Sequence, residues 1–274
     1  DVIALVEEVA DRTPRQASLL LSYIKQMVAW AEDREIVEAN PVATLRADKI
    51  SSALSHKPRA RVLDVDEIET FWTGAEDAGI HHLTALALKL VLLTGQRSGE
   101  VAGMRWSEIK GNTWTMSAQR RKTRQAHAVP LTDTAMELLE AAREEVARLR
   151  KRRKTKASDY VFETRPDTPL TTAAMSRAVA RHAPKLGAKA NGEGIWRPHD
   201  LRRTCRTGLA AAGVPETVAE LVIGHARQGI AAVYDQHRYE QEKRKALEAW
   251  ERRLLRIIDG EPAEDNVVTL EAAR

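Results

Sequence analysis

One cysteine, Cys205, stands in 274 residues, which excludes an intrachain disulfide and fits a reducing cytosol. No apolar run reaches the roughly 18 to 20 residues that span a bilayer. The nearest, Leu83 to Leu93, is interrupted by Lys89 and reads as a buried helix, so no membrane association is expected. The N-terminus carries no signal-peptide pattern. There is no repeated unit and no glycine-rich phosphate loop. With a single thiol and no close histidine pair flanking a glutamate, metal-ligand spacing is missing too, and no cofactor is expected. A cytoplasmic location follows as the expectation. The chain begins at Asp1, without methionine and already in helical register, so further sequence is expected upstream.

Charge of one sign is also in little excess. Lysine and arginine number 43 against 39 for aspartate and glutamate, a net of +4 that is modest for a nucleic-acid protein, so the placement of charge carries the argument. Basic residues cluster at Lys57, Arg59 and Arg61; at Arg120, Arg121, Lys122 and Arg124; from Arg148 through Lys156; and at Arg202, Arg203 and Arg206. Acids gather near the end, at Asp259, Glu261, Glu264 and Asp265.

The periodicity predicts a mainly α protein with a small β-sheet. In residues 1–50, Leu19, Leu20, Tyr23, Ile24, Met27, Val28 and Ala31 recur at three- and four-residue spacings, which marks a small helical module. Asn40-Pro41 is expected to end its second helix, because a residue before proline is pushed out of the α region. Residues 51–61, with few large apolar side chains, read as a basic linker. From Val62 the pattern is helix-rich. Asp64 or Asp66 caps a helix running to about Ala75, and Ile80 to Leu93 forms the next. Asn112 to Ser117 and Ala126 to Leu131 alternate around a basic turn and should pair as a hairpin with Lys122 near its tip. Helices are then expected over Leu131 to Arg150, Thr171 to His182, Pro198 to Ala212, Glu216 to Ile223 and Glu240 to Ile258, with Tyr160-Val161-Phe162 as a short strand or extended piece. The second domain spans 62–258. Residues 259–274 form an acidic tail, expected to be disordered.

Five residues and a lysine suggest one chemistry. A phosphodiester resists attack because the transition state concentrates negative charge on the non-bridging oxygens, and an enzyme without a metal must supply cations. Arg97 lies just past the apolar helix ending near Thr94-Gly95, where a new helix can open, and Glu100 three residues on is its expected orienting partner. His199 and Arg202 sit three apart on a helix begun by Pro198, so both project from one face. His225 follows Gly224. Tyr234 has an ordinary pKa of about 10 and needs cations or a proton acceptor to become a nucleophile. Lys122, on a hairpin tip, can protonate a departing 5′-oxygen. Arg120, Arg121 and Arg124 suit backbone phosphates, as do Lys25, Lys57, Arg59, Arg61 and Arg203. Each residue also has a plainer reading: Arg97 as a salt-bridged surface arginine, His199 and Arg202 as a solvated helix face, His225 as a helix-terminal histidine, Tyr234 as a half-buried aromatic with Tyr239 a rival five residues on.

Jointly, these motifs resemble the tyrosine recombinases, and among them the integrases of phages and mobile islands. The matching segments are Leu92-Leu93-Thr94-Gly95-Gln96-Arg97-Ser98-Gly99-Glu100-Val101, then Lys122-Thr123 with Val129-Pro130-Leu131, then His199-Asp200-Leu201-Arg202-Arg203-Thr204. Gly224-His225 and Tyr234 complete the set, and the nine-residue offset from His225 is similar to the family's, which selects Tyr234 over Tyr239. The resemblance implies a small helical core-binding domain and a catalytic domain clamping duplex DNA. It implies cleavage of attachment-site DNA through a 3′-phosphotyrosine, with Arg97, Arg202 and His225 on the phosphate, His199 assisting the tyrosine and Lys122 protonating the leaving group. It further implies a tetramer on DNA, accessory excision or host DNA-bending factors, and a prokaryotic cytoplasm, on the nucleoid when bound. An arm-binding domain usually precedes the core-binding one in such integrases, and the core-binding helices here start late. A type IB topoisomerase-like enzyme and a non-catalytic DNA-binding regulator on the same scaffold are the alternatives. The C-terminal helix, with Leu247, Trp250 and Leu254 on one face, could pack on its own domain or on a neighbouring protomer.

Overall fold

The computed structural model describes residues 1–55, 59–121, 123–187, 189, 194–225 and 239–261. Lys57, Lys122, Tyr234 and residues 262–274 of the expected tail lie outside them. The chain divides into two units, Asp1–Arg59 and Ala60–Arg274.

In the first unit, α1 (Val2–Arg12) opens with Asp1 Oδ1 accepting from the Ile3 amide at 3.0 Å. Helix α2 (Pro14–Glu32) starts on a proline, whose missing N–H costs nothing at a first helical position. The two helices pack through Val6, Ala10, Ala17 and Leu21. The structure corrects the expected end of α2. It stops at Glu32, eight residues before Asn40, because Glu35 turns left-handed (φ 57°) and the Ile36 amide closes back on the Ala31 carbonyl at 2.9 Å. Asn40-Pro41 instead forms a turn, with Asn40 Oδ1 accepting from the Val42 amide. The expected linker is also partly folded. After the one-turn α3 (Ala47–Ile50), a 3₁₀ turn at Ser52–Leu54 buries Leu54 in the small unit's core.

In the second unit, Asp64 caps α4 (Val65–Gly74) through a capping box with Glu67. Helix α5 (His82–Thr94) is apolar almost all round, and eleven of its residues are buried. Such a helix can only be a core element. It ends on Gly95 at φ 66°, where a Cβ would come within 2.9 Å of Cys205 Sγ, so glycine is required both for the turn and for the close approach. Helix α6 (Ser98–Ala102) follows.

A three-stranded antiparallel sheet comes next, in the order β1 (Ile109–Lys110), β2 (Thr113–Met116), β3 (His127–Pro130). The β2–β3 hairpin pairs Trp114 with Val129 and Met116 with His127, which turns Trp114, Met116 and Val129 into the core. Helix α7 (Asp133–Arg153) packs on α5. Its basic end is partly tied down: Arg150 pairs with buried Glu163 at 2.6 Å, and Arg153 donates to the Thr164 carbonyl. This staples the hairpin of β4 (Glu163–Arg165) and β5 (Thr168–Pro169). Of the short strand or extended piece expected at Tyr160-Val161-Phe162, the structure has a single bridge, Tyr160 to Arg105, and strand pairing begins at Glu163.

Helices α8 (Thr172–His182), α9 (Pro198–Ala211), α10 (Glu216–Val222) and α11 (Glu240–Ile258) complete the unit. The stripe on α11 packs within its own chain, against α4, α5, α9, α10 and β3. Trp250 is 1% exposed and donates through Nε1 to the Leu92 carbonyl at 3.1 Å. Its ring lies over Gly208, where a Cβ would fall 2.1 Å from Cζ3. The large core thus surrounds α5, and the C-terminal end of that helix delivers Gly95-Gln96-Arg97 to the surface of α9.

Candidate active site

The turn after α5 is built to present Arg97. Gln96 is fully buried, and its Nε2 donates to the Thr94 and Val222 carbonyls, both at 2.8 Å, tying the turn to the end of α10. Arg97 is the N-cap residue of α6. Glu100 accepts from its amide at 3.0 Å and from its Nη1 at 2.9 Å, so one carboxylate both caps the helix and holds the guanidinium.

Helix α9 supplies the opposite wall. Pro198 is its first residue, and Asp200 accepts from the Arg197 amide at 2.9 Å and pairs with Arg203. Arg202 is 4% exposed. Its Nη1 donates to the Gly95 carbonyl at 2.8 Å, while its buried Nη2 has no hydrogen-bond acceptor among the described residues. A buried guanidinium nitrogen left open is costly unless a ligand completes it. Burial, then the charge of Arg97, pushes the Arg202 pKa down to about 10, so it stays cationic at neutral pH. His199, on the exposed face of α9, is held below the ordinary histidine range by partial desolvation and then by the charges of Arg203 and Arg202. Its neutral form, a proton acceptor, dominates at pH 7.

Helix α10 brings the third element. Gly224 turns left-handed at φ 72°, and the His225 amide closes on the Glu220 carbonyl at 3.0 Å. His225 Nδ1 meets the Glu220 carboxylate, which also accepts from Arg206 Nε at 2.7 Å. Burial works against ionisation of Glu220, but the hydrogen bonds from Arg206 and His225 outweigh it and its pKa falls. With Nδ1 so engaged, Nε2 of His225 is the nitrogen available to a ligand.

These three segments enclose one cavity of about 430 Å³, lined by Arg97, His199, Arg202, Arg203, Arg206, Glu220 and His225, with Val62 and Ile223 as apolar wall. Four of the six residues singled out as catalytic therefore meet in one place. Lys122 and Tyr234 lie outside the described residues. Tyr239 stands at the N-cap of α11 at φ 52°.

The expected DNA contacts divide. Arg61 is corrected: it is 3% exposed and its guanidinium pairs with fully buried Glu67, so it anchors the start of the second unit and offers no charge to a ligand. Arg121 is corrected likewise. It is 5% exposed, with all three of its nitrogens engaged by Glu100, the Gln125 carbonyl and the Gly224 carbonyl. Arg120 is largely neutralised by Glu108 and donates to the Glu100 carbonyl. Lys25 donates to the Leu45 carbonyl at 3.0 Å within the small unit. Arg59 is half-buried, and Arg124 is exposed at a left-handed turn position. Two further residues line the cavity: Arg206, which the sequence marked only as part of a basic cluster, and Glu220, which it did not single out. Arg206 was legible in principle, since His199, Arg202, Arg203 and Arg206 follow helical spacing. Glu220 was not, because only the turn at Gly224 folds His225 back onto it. Among the described residues no group of three His, Cys, Asp or Glu is placed to hold a metal ion, and no helix is long and apolar enough to cross a membrane.

A mostly helical domain with a small sheet and a pocket of arginines and histidines defines the class of protein. Residues 61–241 match the phage integrase family, and the chain belongs to it. It is 29% identical to prophage integrase IntZ of Escherichia coli K12 over 265 residues, covering 95% of this chain and 60% of that protein. It is 27% identical to tyrosine recombinase XerC of Xylella fastidiosa strain 9a5c over 214 residues, covering 78% and 67%. With IntA of Escherichia coli K12 it shares 24% identity over 236 residues, covering 84% and 52%. The chain spans about half to two thirds of the length of these curated relatives.

Solved structures share the fold. A lambda integrase(75-356) dimer bound to a COC′ core site superposes with a TM-score of 0.64 at 22% identity, covering 82% of this chain and 78% of that one. The Tn1549 transposon integrase in complex with circular intermediate DNA gives 0.63 at 15% identity, covering 89% and 83%. A lambda integrase tetramer bound to a Holliday junction gives 0.62 at 22% identity, covering 86% and 64%.

Proposed function

We propose that this chain is the catalytic part of a site-specific DNA recombinase that integrates or excises a phage or other mobile element. The observation that carries the reading is the convergence of Arg97, His199, Arg202 and His225, from three segments remote in sequence, on one cavity with a guanidinium nitrogen left open. Planar guanidinium forks match two phosphate oxygens, and buried ones need no reorganisation as charge develops.

In the cleavage step Tyr234 Oη forms a bond to the scissile phosphorus and the bond to the 5′-oxygen breaks. The phenol proton passes to neutral His199, and the ammonium of Lys122 protonates the departing oxygen. Arg97, Arg202 and His225 hold the non-bridging oxygens, with Glu100 orienting Arg97. The 3′-phosphotyrosine conserves the energy of the broken bond, so attack by a partner strand's 5′-hydroxyl rejoins DNA without ATP. Exposed Arg124, with Lys57, Arg59 and Arg203, would add backbone contacts. The solved tetramer of lambda integrase on a Holliday junction supports a tetramer on attachment-site DNA as the working assembly. Accessory excision or DNA-bending factors would set its direction. The reaction belongs in a prokaryotic cytoplasm, on the nucleoid.

Tyr234→Phe tests the reading. On a nicked suicide duplex carrying the parent element's junction, the unsubstituted chain becomes covalently attached and the variant does not, while DNA affinity stays nearly unchanged. Attachment through Tyr239 would overturn the assignment. Supercoil relaxation without site preference would favour the topoisomerase-like alternative.

A further inference from the structure

We propose that Arg121 is a positioning residue, which fastens the β2–β3 hairpin to the Arg97 and His225 turns, and that the proton donation assigned to Lys122 depends on this clamp. This rests on the reaction read above and adds to it a residue whose sequence context suggested only a phosphate contact.

The geometry is a three-way clamp. Arg121 Nε donates to Glu100 Oε1 at 3.3 Å, the same oxygen that holds Arg97 Nη1 at 2.9 Å. Its Nη1 donates to the Gln125 carbonyl at 3.1 Å, closing the hairpin end over its own chain. Its Nη2 donates to the Gly224 carbonyl at 2.8 Å, one residue before His225. One guanidinium therefore joins the Arg97 turn, the hairpin and the His225 turn. Lysine lacks the planar fork needed to reach three acceptors in fixed directions.

The surroundings fit such a clamp. A Cβ at Gly224 would lie 2.4 Å from Arg121 Nη2 and 3.0 Å from His127 Nε2, so the close approach requires glycine there as much as the left-handed backbone does. Buried His127 is pushed down to about 3 by burial and then by the Arg121 charge, so it adds no second cation beside the clamp. Sharing Glu100 has an electrostatic consequence too. Because its single negative charge serves both Arg121 and Arg97, the cavity side keeps net positive charge for a phosphate.

The test compares ordinary suicide DNA with the same duplex bearing sulfur in place of the bridging 5′-oxygen, since a thiolate leaves without needing a proton. Arg121→Met should slow covalent attachment to ordinary DNA by about 100-fold or more, the scale of losing a general acid. The sulfur substrate should recover most of that loss, with DNA affinity unchanged. Arg121→Lys, read where the methionine variant does not fold, should show the same pattern of loss and recovery. Equal slowing on both substrates, or no slowing, overturns the proposal while leaving the recombinase reading intact. No attachment by the unsubstituted chain overturns the recombinase reading itself.

Discussion

Arg97 and Arg202 line the same cavity but are held in different ways. Arg97 leans on a carboxylate, Glu100, and keeps 28% of its side chain exposed. Arg202 is buried, rests on a neutral carbonyl, and leaves one nitrogen without an acceptor among the described residues. The first is partly neutralised and adaptable. The second is a desolvated charge whose cost falls when an anion arrives, so it should gain more from a phosphate whose charge is rising. The His225 arm resembles the Arg97 arm, since Glu220 orients it from the preceding helix.

The sharpest break in this comparison would come from its strongest member. Arg202→Ala should slow covalent attachment by about 1,000-fold, at the upper end for losing an oxyanion donor, and Arg202→Lys should recover little. Arg97→Ala should cost less, about 100-fold in the same assay. A larger loss at Arg97 than at Arg202 would reverse the assignment of the stronger phosphate ligand. Next in size, Glu220→Gln removes the charge that orients His225 and should cost about 10-fold, by analogy with outer partners of ligating histidines. A fall there as large as for His225→Ala would mean that Glu220 does more than orient.

Two smaller effects concern protons. His199 has a folded pKa below its ordinary value, so its accepting form predominates at pH 7 and is lost as pH falls through that lowered pKa. The cleavage rate should therefore hold down to a pH below the usual histidine range, and His199→Gln should remove that acid limb. His127 is pushed down to about 3. Between that value and its unfolded pKa of about 6.5 the unfolded chain binds the extra proton, so stability rises with pH and falls on acidification. Urea unfolding should lose up to about 1.4 kcal/mol per pH unit below pH 6 on this account, and His127→Gln should flatten that slope.

Much of the fold was legible because its signals are local. The Asp64 cap, Pro198 at the first turn of α9 and the apolar run of α5 need no tertiary information, and neither does the β2–β3 alternation. Errors came where a tertiary partner or a backbone turn intervened. Helix α2 ends at Glu32, ahead of a left-handed Glu35 that no residue preference marks, and Asn40-Pro41, a strong stop signal, merely forms a later turn. Among the cations, composition could not separate those facing solvent from those buried against carboxylates. Arg61, Arg120 and Arg121 read alike in the sequence as phosphate contacts, yet their partners are Glu67, Glu108 and Glu100.

By itself the sequence determined which side chains could act and their order along the chain, because helix period, caps and glycine turns set the local direction of Arg97, His199, Arg202 and His225. Only the tertiary structure decided that these four share one cavity, that α11 folds back onto its own core, and that Arg121 is a buried clamp. Distances between segments more than a hundred residues apart, as from Arg202 to the Gly95 carbonyl or Arg121 to that of Gly224, are fixed by packing around α5. No local preference encodes them.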